Sequence, residues 1–213
     1  MPKLRECAEP LQPMTMPAAA PRPALFLDRD GVVNVNHGYV HRAEDTQFMP
    51  GIFELCRSAQ DAGCGLVIVT NQAGIARGYY NTAQYHAYSG WLRGTLAAQG
   101  VLLDGIYHCP HHPESGVGAW RRACACRKPA PGMILQAARD LGLDLARSAV
   151  LGDSLSDIEA GRRAGVGLLM MLRAHTDAAP APSADVQTVH DLAGARETLQ
   201  SWCARHDCSE HPG

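Results

Sequence analysis

The chain has 213 residues, 46% of them apolar and 19% charged, a globular rather than a disordered composition. A formal net charge of −2 and the lack of any basic stripe count against a nucleic-acid partner. No apolar run is long enough to cross a bilayer, and the length suits one α/β domain with its own core.

Met1 to Pro23 is rich in proline and lacks the charged-then-apolar order of a secretory signal. It reads as a disordered extension, which puts a single domain at residues 24–205 and a flexible tail at 206–213. Ala24-Leu25-Phe26-Leu27 is an uncharged run suited to a fully buried strand of a parallel sheet. It runs into Asp28-Arg29-Asp30-Gly31. Gly51 to Ala62 has helical spacing and stops at Gly63. Leu66 to Val69 is a second buried strand, ending in Thr70-Asn71-Gln72. A helix from about Thr82 to Gln99 leads to a short strand at Gly105–His108, and Cys109 to Arg127 reads as loop. Pro131 to Leu141 is helical. Ala149 to Leu151 is a strand running into Gly152-Asp153, followed by a helix over Leu155–Ala164 and a strand over Val166–Leu172. Ala178 to Ala184 reads as a surface loop. Val186 to Val189 and a helix from about Asp191 to Arg205 complete the order. Strands alternate with helices, so the expected architecture is a Rossmann-like parallel sheet covered by helices on both faces.

Ligands of such sheets sit beyond the carboxyl ends of the strands. A lone strand ending in an Asp-Gly turn is common in any protein. Here four strand ends carry chemistry together: Asp28 and Asp30; Thr70 and Asn71; Arg127 and Lys128 after the third strand's loop; and Asp153. Two close aspartates repel unless a cation or proton lies between them, which suits Mg²⁺. The set supplies metal ligands, charge neutralisation and an attacking group, as phosphoryl transfer requires.

Four of the eight cysteines, Cys7, Cys56, Cys64 and Cys203, are scattered singly and read as tail or small core residues. Cys109, His111, Cys124 and Cys126 instead form two close pairs separated by a loop, the pattern of a closed tetrahedral zinc site. His112 is an alternative ligand, but the Cys-x-His spacing mirrors Cys-x-Cys and favours His111. His108 is expected to face the sheet. Zinc there would be structural: the loop lacks periodicity, and Arg127-Lys128 follow the last ligand directly. Reduced thiols in such a cluster fit a cytoplasmic location.

Asp28-Arg29-Asp30-Gly31, the strand into Thr70, Arg127-Lys128-Pro129 and Gly152-Asp153-Ser154-Leu155-Ser156-Asp157 resemble the four motifs of haloacid dehalogenase-type phosphatases. The resemblance covers Ala24 to about Leu172. It implies that Asp28 attacks phosphorus to form an aspartyl-phosphate and that Asp30 shuttles the proton. It also implies that Lys128 holds Asp28 and the phosphoryl oxygens, and that Thr70 binds phosphate. Mg²⁺ would be held by Asp28, the Asp30 carbonyl and Asp153, with Asp157 behind them.

The cysteine–histidine cluster resembles the branch holding heptose-bisphosphate phosphatases and histidinol-phosphatase domains. Thr70-Asn71-Gln72-Ala73-Gly74-Ile75-Ala76-Arg77-Gly78, His37-Gly38-Tyr39-Val40-His41 and Cys109-Pro110-His111-His112-Pro113 are similar to the heptose enzymes' loops, with Ala73 in place of a serine. Ser154 stands where a lysine is expected, and Arg77 or Arg127 would compensate. The resemblance implies a sugar-bisphosphate substrate in lipopolysaccharide or glycoprotein precursor synthesis, bound by His37, Tyr39, His41, Asn71, Arg77 and Arg127. Histidinol phosphate and a nucleic-acid 3′-phosphate are the alternative substrates. No long cap insertion is evident, and nothing in the sequence requires an oligomer, so a monomer is expected.

Overall fold

The computed structural model describes residues 20–173 and 183–206. Most of the proline-rich extension, the greater part of the Ala178–Ala184 loop and residues 207–213 lie outside these, as does Cys7. The chain is already tied to the fold at Arg22, whose side chain pairs with Asp104 and whose carbonyl accepts from the Asp144 amide at 2.9 Å.

Six strands form one parallel sheet: β1 (Ala24–Leu27), β2 (Gly65–Asn71), β3 (Gly105–Cys109), β4 (Ala149–Gly152), β5 (Leu168–Leu172) and β6 (Val186–Val189). Their spatial order is β3-β2-β1-β4-β5-β6. The helices are α1 (Ile52–Asp61), α2 (Ala73–Ala76), α3 (Thr82–Ala98), α4 (Gly132–Leu141), α5 (Leu155–Ala164) and α6 (Leu192–His206). No described helix is long and apolar enough to cross a membrane.

Side-chain alternation along the strands divides the core in two. Leu25, Leu27, Leu66 and Ile68 pack with Ile52 and Leu55 of α1, Leu92 of α3 and Leu199 of α6. Phe26, Val67, Val69 and Val150 point the other way, onto Met133 and Ile134 of α4 and Ile158 of α5. Because both faces are covered at the centre of the sheet, β1, β4, β5 and most of β2 read as continuous apolar runs in the sequence. The connections from β1 to α1 and from β2 to α3 hold no cap domain, only the single turn of α2.

Four boundaries differ from the sequence reading, each for a tertiary reason. β2 continues through Thr70 and Asn71 because β3 extends to Cys109 and pairs with both. β5 starts at Leu168, since α5 ends in left-handed Gly165 and the Gly167 amide is held by the Leu145 carbonyl. Pro131 precedes α4 rather than lying in its first turn. The Cys109–Arg127 loop contains a 3-10 turn at Gly118–Trp120. Cys56, Cys64 and Cys203 are buried core residues as expected, but the Cys64 and Cys203 sulfurs, far apart in sequence, are 3.8 Å apart. His108 packs its ring against Tyr85 at 4.1 Å and edge-on to His86. Burial lowers its pKa to about 4, so it is neutral near pH 7.

Candidate active site

β1 lies between β2 and β4, where the strand order changes direction, so the crevice of the sheet opens at its carboxyl end. Asp28 is the first residue beyond β1, anchored by its amide to the Leu151 carbonyl at 3.0 Å. Asp28 Oδ1 accepts from the Arg29 amide at 2.7 Å and from Lys128 Nζ at 2.8 Å. Burial pushes its carboxyl up to about 7, against the opposing pull of Lys128. Lys128 also donates to the Val69 carbonyl at 2.8 Å and lies 2.6 Å from Asp157 Oδ1. Burial works to lower its pKa, but Asp28 and Asp157 outweigh that and hold it raised.

Asp157 sits in the first turn of α5. Its Oδ2 accepts from the Ser154 amide at 3.0 Å and the Ser154 hydroxyl at 2.7 Å, fixing the helix start. Ser154 therefore caps α5 and holds Asp157. Gly152 makes room for this, since a Cβ there would fall 2.2 Å from that of Asp157. The sequence reading put Asp157 behind the metal ion. In the fold it is chiefly the buried counter-charge of Lys128.

Asp153 follows β4 into the crevice, and partial desolvation with the nearby Asp157 charge raises its carboxyl to about 6. Asp28, Asp153 and Asp157 offer carboxylate oxygens that all lie within 4.8 Å of one another. A Cβ on Gly31 would be 1.9 Å from Asp153 Oδ2, so only glycine admits that carboxylate. Hard oxygen donors, crowded and with raised pKa values, fit a divalent cation such as Mg²⁺.

The Asp30 carboxylate faces elsewhere. It accepts from Arg29 Nη2 at 2.8 Å, Asn34 Nδ2 at 3.1 Å and Gln72 Nε2 at 3.1 Å. Arg29 is only 1% exposed, lies over the Tyr88 ring and donates to the Val40 carbonyl at 2.7 Å. Thr70 is buried, and its hydroxyl oxygen accepts from Gln72 at 2.8 Å. Asn71 was expected to bind substrate. Its side-chain amide is engaged at both ends by the Lys128 backbone, donating to the carbonyl and accepting from the amide, each at 3.1 Å. Asn71 is thus a clamp that sets where Lys128 starts.

The cluster after β3 closes as its spacing predicts. The Cys126 sulfur lies 3.2 Å from that of Cys109, 3.3 Å from that of Cys124 and 3.4 Å from His111 Nδ1. Three soft sulfurs and one imidazole within 4.8 Å form a closed donor set compatible with zinc. His112 Nδ1 accepts from the Glu114 and Ser115 amides, and the imidazole that joins the donor set is that of His111. Arg122 Nη2 approaches His111 Nε2 at 2.8 Å, and Arg127 donates to the His111 carbonyl at 3.2 Å.

His37, Tyr39 and His41 line an open cavity of about 610 Å³ with Glu44, Asp45 and Tyr79. Tyr39 has φ +56°, a conformation that tends to mark binding sites. Its ring meets Tyr79 edge-on at 4.6 Å, and the Arg77 guanidinium lies 5.9 Å from it. His41 stacks on Tyr80 at 4.5 Å. The predicted loop residues therefore gather beside the crevice. Arg29, Asn34, Gln72 and Tyr80 were not foreseen. The only sequence signal for Gln72 was its position directly after a buried strand.

A HAD-hydrolase-like family model matches residues 125–196, the segment carrying Lys128, Asp153 and Asp157. The D-glycero-β-D-manno-heptose-1,7-bisphosphate 7-phosphatase of Yersinia pestis is 48% identical over 151 residues, covering 71% of this chain and 80% of that protein. That of Photorhabdus laumondii is 42% identical over 174 residues, covering 80% and 93%. The chain belongs to the heptose-bisphosphate phosphatase family of the haloacid dehalogenase superfamily. The D,D-heptose 1,7-bisphosphate phosphatase of B. bronchiseptica, solved with magnesium and phosphate, matches it at TM-score 0.70 and 33% identity, covering 84% of this chain and 98% of that one. An HAD-like phosphatase structure from Mesorhizobium loti matches at TM-score 0.78 and 33% identity, covering 91% and 90%. Membership of this family makes the chain a phosphatase, and its clustered acids stand at the carboxyl ends of β1 and β4.

Proposed function

We propose that this phosphatase hydrolyses the 7-phosphate of D-glycero-D-manno-heptose 1,7-bisphosphate through an aspartyl-phosphate. The observation that carries the reading is the buried Lys128, bonded at 2.8 Å to the Asp28 carboxylate at the sheet's crevice. The relatives' shared activity supports the substrate.

Asp28 attacks phosphorus with its free oxygen, Oδ2, because Oδ1 is held by Lys128 and the Arg29 amide. The new bond is Asp28 O–P; the bond that breaks joins phosphorus to the sugar C7 oxygen. Asp30 gives that oxygen its proton. Water then attacks the phosphoryl group and yields its proton to Asp30. The Asp28 O–P bond breaks, inorganic phosphate leaves, and both acids return to their starting state. Lys128 and the Thr70 hydroxyl stabilise the charge on the phosphoryl oxygens. Asp28, Asp153 and the Asp30 carbonyl would hold Mg²⁺, which would supply further neutralisation of that charge. Cys109, His111, Cys124 and Cys126 would hold a structural Zn²⁺, which would fix the approach of Arg127 and Lys128.

The second phosphate of the substrate is assigned to Arg77 and Arg127. Both sit near enough to His112 to help hold its imidazole below its ordinary pKa, after burial, so their positive charge converges there. His37, Tyr39 and His41 form the sugar wall. We assign the catalytic unit to residues 24–205 acting as a monomer in the cytoplasm, where the thiol ligands stay reduced.

The test is phosphate release with Mg²⁺ from heptose 1,7-bisphosphate, histidinol phosphate and a 3′-phosphorylated oligonucleotide. The bisphosphate should be strongly preferred, and Asp28→Asn should abolish release. Preference for histidinol phosphate would overturn the substrate, and an unaffected Asp28→Asn the mechanism.

A further inference from the structure

We infer that Gln72, which none of the motif roles uses, is a positioning residue that sets the hydrogen-bond polarity of Thr70 and aims the Asp30 carboxylate. The inference rests on the phosphatase reading given above. Gln72 is 2% exposed, and its amide is fixed at both ends. Tyr80 donates its hydroxyl to Oε1 at 2.5 Å. Nε2 donates to Asp30 Oδ2 at 3.1 Å and to Thr70 Oγ1 at 2.8 Å. A flipped amide would set its oxygen against the Asp30 carboxylate, which, when ionised, only accepts. Tyr80 can donate or accept, so the ionised Asp30 chooses the orientation and Tyr80 donates to the oxygen that faces it.

That orientation has two consequences for the chemistry. A threonine hydroxyl has one proton to give. Because Thr70 Oγ1 accepts from Gln72, its own proton is left to donate into the crevice, toward a phosphoryl oxygen. Asp30, meanwhile, accepts from Gln72 at Oδ2, from Asn34 at Oδ1 and from Arg29 at both oxygens. This holds the carboxylate that must protonate the leaving oxygen.

The brace reaches the substrate loop. Tyr80 fits against Gly74, where a Cβ would lie 2.2 Å from its ring. His41, from the loop lining the large cavity, stacks on the other part of that ring at 4.5 Å. The Gln72 backbone is fixed too, its amide donating to the Cys109 carbonyl at 2.8 Å.

The experiment compares two substrates with different leaving groups, in excess Mg²⁺. Heptose bisphosphate expels an alkoxide that needs a proton; 4-nitrophenyl phosphate expels a phenolate that does not. Gln72→Met should lower kcat on the sugar bisphosphate by about 100-fold, the scale of a general acid's contribution, with KM nearly unchanged. On 4-nitrophenyl phosphate the same variant should release a burst of phenolate equal to the enzyme present, then turn over slowly. The burst arises because bond cleavage needs no acid, whereas the later attack by water still needs Asp30 as base. Tyr80→Phe, which loosens only the amide's far end, should show the same split at roughly a tenth of the size. An equal loss on both substrates without a burst, or unchanged kcat on the sugar, overturns the inference. If Gln72→Met does not fold, absence of the split in Tyr80→Phe overturns it. Wild-type protein that cleaves neither substrate instead defeats the phosphatase reading itself.

Discussion

Asp157 Oδ1 lies 2.6 Å from Lys128 Nζ, with side-chain exposures of only 2% and 3%. Lys128 is thus pinned from behind by one carboxylate while it faces another, Asp28, at 2.8 Å. A cation so placed balances two acids at once. Its removal leaves both without their shared partner.

Lys128→Met should therefore cost about 3–5 kcal/mol of stability, the usual penalty for stranding buried charge. Turnover should fall by roughly 10²–10³-fold through loss of charge stabilisation at phosphorus. Urea unfolding and phosphate release measure the two effects. A variant as stable as wild type would show that Asp28 and Asp157 are not held by this lysine.

Metal-free protein should weaken as pH rises through neutrality. Burial raises Asp28 from 3.8 to about 7, and partial desolvation raises Asp153 from 3.8 to about 6. Folded pKa values above the unfolded ones mean that the folded chain binds more protons in this window. The stability they contribute is complete below the ordinary value of 3.8 and is lost as pH climbs through 6 and then 7. Mg²⁺ opposes that loss by binding the ionised acids. The rise in Tm on adding Mg²⁺ should accordingly grow between about pH 5 and 8. Thermal melts with and without the ion test this, and a flat increment would refute it.

Zinc content should track the order of the Lys128 segment. Cys126→Ser removes one donor from a set whose last member immediately precedes Arg127 and Lys128. We expect zinc loss by elemental analysis, a lower Tm, and turnover reduced about 10-fold or more through misplacement of Lys128. Full activity in zinc-free protein would separate the cluster from catalysis.

Gly31→Ala and Gly38→Ala form a matched pair. Both positions have positive φ, +95° and +82°, so each substitution strains the backbone by roughly 1–2 kcal/mol. Only at Gly31 does the new methyl collide with a functional group, Asp153 Oδ2. Calorimetric titration should show weaker Mg²⁺ binding for Gly31→Ala and wild-type binding for Gly38→Ala.

The apolar strands and their polar ends were legible because both follow from local pattern. Ala24–Leu27 is uniformly apolar since both sheet faces are covered, and Asp28 must fall at its carboxyl end. The zinc-compatible cluster was equally readable, its donors being paired closely in sequence. The braces were not. Lys128 meets Asp28 across 100 residues and Asn71 across 57, and Gln72 meets Asp30 across 42. No periodicity encodes such meetings. The motifs imply that Asn71 meets substrate and that Asp157 stands behind the metal ligands; that both also engage Lys128 is visible only in the packed fold. The single turn of α2 was hidden for a related reason. Four residues are too few for a helical stripe, and Gly74 is there for Tyr80 rather than for helix propensity.

The knot of Cys109, His111, Cys124 and Cys126 divides its neighbourhood into a fixed part and a free part. Cys126 leads straight into Arg127 and Lys128, and Lys128 is bonded to Asp28, so that stretch has little room to slip. Residues 112–123 begin and end at the same knot. Along the chain, their link to Lys128 runs through that knot. A change along that arc is therefore filtered by the cluster before it reaches Lys128.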